Sequence, residues 1–176
     1  MSLSEPSDAL IVVRCQLGNQ DAWQQLVARW HPRLWTFIVR MVPQQAVAED
    51  VLQTVWLRVV RSIVRLREPD RWSSWVYGVT RATIADRFRE QYRRPPADQV
   101  DEISIIDSGS ERMDLTEFLD AGLERLHPTD REAVVLHYLE ELPLAEVAEI
   151  CGVPTGTIRY RPTNSVNASG VKAAAA

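Results

Sequence analysis

Apolar residues recur along this chain at steps of three and four, and no segment sustains a period of two, which predicts an all-α fold. A first helix is expected from Ser7 to about Leu17, stopped by Gly18, whose missing Cβ suits a left-handed helix end. Asn19 then caps a second helix with Asp21 in its first turn. Trp23, Leu26, Val27, Trp30, Leu34, Phe37, Ile38 and Met41 give that helix one wide apolar face, and Pro32 is expected to kink or divide it. A long helix from about Ala46 to Arg65 turns Val47, Val51, Val55, Val59 and Ile63 inward. Its other faces carry Glu49, Asp50, Gln53, Arg58, Arg61 and Arg65. Glu68-Pro69-Asp70 breaks it, and Ser73 or Ser74 is expected to cap a further helix running to about Gln91.

Arg93-Arg94-Pro95-Pro96 closes this first bundle, so residues 1–94 form one helical domain and 95–112, rich in acids and Ser, a flexible linker. A second small helical domain spans 113–161. Leu115, Phe118, Leu119, Gly122, Leu123 and Leu126 lie along one helix, and Thr129 with Glu132 reads as a capping box opening another, through about Leu139. Residues 144–159 read as a helix-turn-helix. Gly152 makes the tight turn, Val153 fills the angle, and a second helix begins near Thr155. In that motif the second helix enters the major groove, where Arg reads guanine and Thr meets phosphate or a thymine methyl. Thr155, Thr157, Arg159, Tyr160 and Arg161 are its outward residues.

Composition is ordinary for a soluble globular protein: 176 residues, 45% hydrophobic, 25% charged. No stretch suits a membrane span or a secretion signal, so a cytoplasmic protein without membrane insertion is expected. Cys15 and Cys151 stand far apart without CxxC spacing and read as small buried apolar residues, so no metal and no cofactor is expected. His31, His127 and His137 are scattered, no nucleophile–base string occurs, and Gly-rich phosphate loops are missing, which argues against an enzyme.

The net charge of −4 hides a segregation. From Arg58 to Arg94 ten arginines stand against Glu68, Asp70, Asp86 and Glu90, a balance of +6. From Asp98 to Glu149 fifteen acids face Arg112, Arg125 and Arg131, a balance of −12. The basic block suggests a surface for a polyanion, while the acids follow helix faces and read as solvated surface.

Several strings in order and spacing carry a family resemblance: Asp21-Ala22-Trp23 with Pro32-Arg33-Leu34, Ala48 through Gln53, Trp75-Val76-Tyr77 before Asp86-Arg87, Leu126 through Glu132, and the helix-turn-helix. From about Asp8 to Arg161 the chain resembles an extracytoplasmic-function sigma factor of the sigma-70 family. The resemblance implies a region-2-like first domain that binds the beta-prime clamp helices of RNA polymerase core and helps melt the minus-ten element. It implies a region-4-like second domain that binds the beta flap and reads the minus-thirty-five element. Promoter DNA, duplex and melted, is then a partner, and an anti-sigma factor is expected to sequester the protein.

Residue by residue, the resemblance assigns Glu49, Asp50, Gln53 and Trp56 to core polymerase. Asp50 and Gln53 project away from the valine stripe, where Arg of a partner helix can reach them. It assigns Arg67, Arg71, Trp72, Ser73, Ser74, Arg81, Arg87 and Arg89 to minus-ten DNA, with a flipped base held by aromatic walls and polar edges. Trp72 stands between core anchor and base platform, whereas Trp75 is assigned to the core. Thr155, Thr157, Arg159, Tyr160 and Arg161 fall to the minus-thirty-five element. The sequence departs from the family at Gly78 and Ala82, where Arg and Asn are common, and again at Pro162, which is expected to end the recognition helix near Tyr160. Residues 162–176, holding Lys172, the only lysine, read as an atypical, disordered tail. A second reading is therefore a polymerase- or regulator-binding module whose promoter recognition is impaired by a recognition helix truncated after Arg161.

Overall fold

The computed structural model describes residues 6–93 and 115–158, and these are helical throughout with no strand among them. Helix α1 spans Asp8–Gln16, its N-terminus closed by the Ser7 hydroxyl accepting from the Leu10 N–H at 3.3 Å. Gly18, at φ +81°, turns the chain, and the Asn19 carboxamide accepts from the Ala22 N–H at 2.8 Å to start α2, Gln20–Met41. Helix α2 runs unbroken through Pro32, so the expected division does not occur. Its buried stripe of Leu26, Trp30, Leu34, Phe37 and Ile38 holds both halves against one core. That packing outweighs the loss of one backbone bond.

Helix α3, Gln45–Ser62, buries Val51, Val55 and Val59 as their spacing requires, and a 3₁₀ turn, Ile63–Arg65, closes it. The Gln16 carboxamide reaches across from α1 and donates to the Ile63 and Leu66 carbonyls, both at 2.8 Å. Carbonyls at a helix end lack intrahelical partners, so this one side chain ties α1 to the exit of α3. A second 3₁₀ turn, Pro69–Arg71, leads directly into α4, Trp72–Arg93. Ser73 and Ser74 therefore lie inside the first turn of α4 rather than capping it. Trp72 is 1% exposed and meets Trp30 edge-on at 5.8 Å, and Tyr77 meets Trp30 and Phe37 at 5.9 and 5.3 Å. Aromatic edges against faces fasten α2 to α4 beyond their apolar area.

The second unit contains α5, Leu115–Glu124, and α6, Pro128–Val134, which continues as a π-helical turn, Val135–Leu139. The capping box does not form. His127 caps α6 by accepting from the Thr129 N–H at 3.4 Å, Pro128 occupies the first helical position, and Glu132 is buried instead. Arg131 donates to the Leu123 and Glu124 carbonyls, each at 2.8 Å, satisfying the end of α5. Helix α7, Leu144–Cys151, ends on Gly152 at φ +66°, a left-handed conformation that glycine adopts without strain. Residues 155–158 form the next helical turn, fastened inward by the fully buried Ile158. Cys15 and Cys151 are buried and unpaired as expected, and burial pushes the Cys15 thiol up to about 11.

Candidate functional site

Two surfaces of the first unit gather the residues singled out by the sequence. The first is an apolar groove of about 820 Å³ between α2 and α3, walled by Trp35, Leu52, Trp56, Leu57 and Val60, with Glu49, Gln53 and His31 on its rim. Leu57 and Val60 are 51% and 56% exposed, a high value for adjacent aliphatic side chains on a well-packed helix. Three of the four residues expected to meet polymerase, Glu49, Gln53 and Trp56, thus line one groove. Asp50 does not. It faces α4, 3.8 Å from Arg87, which also lies 3.7 Å from Glu90. Leu57 and Val60 escaped the sequence reading because they fall off the valine stripe; two aliphatics outside the inward face were the available signal.

The second surface is the start of α4 with the turn before it. A cleft of about 370 Å³ is lined by Arg67, Arg71, Ser74, Trp75, Gly78 and Glu149. Trp75, not Trp72, supplies its aromatic wall. Trp72 is buried in the core, where no base can stack on it, and Trp75 is only partly buried, 5.5 Å from Trp72 between ring centres. Trp72, open between core anchor and base platform in the sequence, is the core anchor, and Trp75, assigned to the core, packs against it while only partly buried. Arg89 lies further along α4, 3.2 Å from Asp86, and Arg58 also reaches Asp86 at 2.9 Å.

Arg71, Ser73, Ser74 and Arg81 already have partners on the second unit. Arg71 pairs with Glu149, while Glu146 accepts from the Ser73 and Ser74 hydroxyls, the latter at 3.1 Å. Arg81 stands 2.7 Å from Glu132 and donates to the Ile150 carbonyl at 3.1 Å. The Arg81–Glu132 approach is a charge contact without hydrogen-bond alignment; burial raises the Glu132 carboxyl above the usual range and Arg81 pulls it partly back. Glu140, 6% exposed, accepts from the Tyr77 hydroxyl at 2.6 Å and from Arg33 at 3.0 Å. Burial and this carboxylate hold the Tyr77 phenol well above its ordinary value. Arg33 also lies over the Trp30 ring at 4.5 Å. The acids read as solvated surface are therefore partly an internal interface, with Glu132 and Glu140 buried in it.

In the helix-turn-helix, Val153 packs partly buried against the core, Thr155 is exposed and Thr157 half-buried. Arg159, Tyr160, Arg161 and the tail from Pro162 lie outside the described residues. So does the linker over 95–112.

A helical bundle bearing an apolar groove and an arginine-rich helix start, followed by a helix-turn-helix, defines a two-domain DNA-binding class. Residues 26–94 match the family model for sigma-70 region 2, and residues 119–161 match that for sigma-70 region 4. The chain is 36% identical over 149 residues to the RNA polymerase sigma factor CarQ of Myxococcus xanthus, covering 82% of this chain and 84% of the relative. It is 30% identical over 169 residues to the ECF RNA polymerase sigma-E factor of Escherichia coli K12, covering 88% of each. Two solved structures share the fold at 20% identity. CnrH in complex with the cytosolic domain of CnrY gives a TM-score of 0.70 over 94% of this chain and 96% of that one. The sigma factor RpoE in complex with the anti-sigma factor NepR from Bartonella quintana gives 0.71 over 86% and 98%. The chain belongs to the sigma-70 family, among its ECF sigma factors. Both region matches and relatives covered over more than four fifths of their length support an initiation factor over the truncated-module reading.

Proposed function

We propose that this protein, a promoter-specific transcription initiation factor by family, binds RNA polymerase core through the α2–α3 groove and melted minus-ten DNA through the start of α4. The observation that carries this is the exposed Leu57–Val60 patch with Glu49, Gln53 and Trp56 around one apolar groove. Such a groove takes an apolar helix face, and its polar rim supplies orientation. By family resemblance, the occupant assigned to it is the beta-prime clamp helices of polymerase. Asp50 serves the same interface indirectly, by holding Arg87 beside Gln53. Arg67, Arg71, Ser73, Ser74 and Arg81 hold the displaced strand, and Trp75 offers a face to an unstacked base. Arg87 and Arg89 extend the phosphate track along α4. Thr155, Thr157, Arg159, Tyr160 and Arg161 read the minus-thirty-five element, with the acidic second domain also meeting the beta flap.

The same groove suits an apolar segment of an anti-sigma factor, which would then exclude polymerase by occupying it. The protein acts in the cytoplasm, where polymerase is, as a non-catalytic factor; among the described residues no helix is long and apolar enough to cross a membrane. The test is co-purification of the full chain with RNA polymerase core. Leu57→Asp with Val60→Asp is expected to abolish it while leaving helical circular dichroism intact, since both side chains already face water. Undiminished binding of that variant overturns the groove assignment.

A further inference from the structure

Gly78 stands inside α4 at a position where neither the backbone nor the packing asks for glycine. Gly18 and Gly152 take positive φ, but Gly78 is ordinary α-helix, and a Cβ built on it meets no atom within 4 Å. Glycine is the poorest helix former after proline, because it gives up the most backbone freedom and exposes the backbone to water. The missing side chain therefore weakens α4 and relieves no crowding. Its effect falls on the space in front of the helix. That space is the cleft of about 370 Å³ whose lining includes Arg67, Arg71, Ser74 and Trp75.

Helix geometry decides which part of the cleft the glycine opens. Every Cα–Cβ bond leans toward the helix N-terminus, so a side chain at 78 would cover the turn before it, which holds Ser74 and Trp75. Trp75 is half-buried and rests on Trp72, with 5.5 Å between ring centres and 36° between ring planes. With no side chain at 78, the helix surface beside that ring stays bare, and a ligand can approach the backbone itself. A flat ring system lying on Trp75 can then extend past its edge along α4. A pyrimidine has one ring and gains nothing from the extra length. A purine has two fused rings and gains contact along all of it.

We propose that Gly78 selects for base size: it lets the cleft take a purine of the displaced strand, whose second ring lies where any side chain at 78 would stand. The inference rests on the reading of Trp75 and its neighbouring arginines as strand contacts. Every base has a π-face, so an aromatic platform alone discriminates little between bases. Room at the border of the platform is what favours the larger base, and filling that room rejects it by collision.

The test uses holoenzyme, the full chain bound to RNA polymerase core, with core alone as the baseline. Fluorescence anisotropy measures its affinity for single-stranded probes of about 12 nucleotides, all dA or all dT. Homopolymers remove the question of register, and each variant is compared with wild type on the same probe. Gly78→Ala and Gly78→Leu both improve helix propensity, so neither loses binding by unfolding. Gly78 also lies outside the lining of the α2–α3 groove, so both variants assemble with core. Gly78→Leu is expected to weaken the dA probe about fivefold or more and the dT probe less than about twofold, with Gly78→Ala between Leu and wild type. A loss of equal size on both probes, or a larger one on dT, assigns residue 78 to general access and overturns the selection by size. Trp75→Ala, measured beside them, is expected to weaken both probes. If it does and Gly78→Leu changes neither, the proposal is overturned and the strand reading stands. If Trp75→Ala changes neither probe, that reading is overturned and the proposal with it.

Discussion

Replacing Tyr77 by Phe removes one oxygen and leaves every carbon in place, so it isolates one hydrogen bond. The hydroxyl donates to Glu140 at 2.6 Å, and the carboxylate side chain is 4% exposed. A hydrogen bond to a charged group contributes about 1.5–3 kcal/mol, and the buried setting favours the upper part of that range. Glu140 keeps Arg33, at 3.0 Å to its carboxylate and 3.1 Å to its carbonyl, so the acceptor is not orphaned by the change. Tyr77→Phe should therefore cost about 1.5–2 kcal/mol, below the cost of an unpaired buried charge. Glu140→Gln removes the charge instead and costs a similar amount. Because Tyr77→Phe removes the donor and Glu140→Gln keeps an accepting oxygen but removes its charge, both changes act on the same bond, and the double variant should cost about 1 kcal/mol less than the sum. Urea denaturation of the four proteins, with equal m-values as the condition for comparison, measures this coupling. Costs that add to within about 0.5 kcal/mol would refute the reasoning, since they would show the two groups to be independent.

Trp72→Ala should destabilise the fold by about 3–5 kcal/mol through the cavity it leaves, whereas Trp75→Ala should lower minus-ten strand affinity several-fold with a smaller loss of stability; thermal melts and anisotropy separate the two. Gly78 has open space where a Cβ would stand, so Gly78→Ala should raise stability by about 0.5–1 kcal/mol, measured by urea midpoint. The pH dependence at Glu132 has a definite sign. Its folded carboxyl is raised by burial, so the folded state binds more protons than the unfolded, and this group's contribution falls as pH rises from the ordinary carboxylate range through the raised value. Glu132→Gln should remove that fall, so the stability of wild type relative to the variant should decrease with rising pH in denaturant titrations.

The elements legible in the sequence were those whose signal is local. The stripes of α2 and α3, the Asn19 cap and the glycine turns at 18 and 152 each depend on residues within one or two turns, and each stands where its spacing places it. The misreadings arose where a distant partner outbid a local one. Glu132 has the position of a capping-box acid, yet its carboxylate goes to Arg81 on α4, while His127 caps the helix. Ser73 and Ser74 have the chemistry of helix caps, yet they serve Glu146. At Trp72 and Trp75 the periodicity leaves both tryptophans eligible for the core, and the 3₁₀ turn before α4 decides which is fully buried and which packs only partly against it.

Charge segregation shows the same limit on a larger scale. A block of +6 and a block of −12 suggest two separate partners when read along the chain, because a sequence lists charges without saying which can meet. Folding brings the blocks together at Arg71, Ser73, Ser74 and Arg81, and the acids that looked solvated become counter-charges. A positively charged face is attractive to any carboxylate tethered nearby, so an acidic second domain on the same chain supplies that face with counter-charges. Exposed pairs such as Arg71–Glu149 are each weak and yield to salt or to a polyanion. The buried Glu140 contacts do not yield in that way, since removing one partner there leaves charge out of water. It follows that the exposed pairs fall away first as salt rises, and the Tyr77–Glu140–Arg33 group sets whether the two domains stay joined when they do.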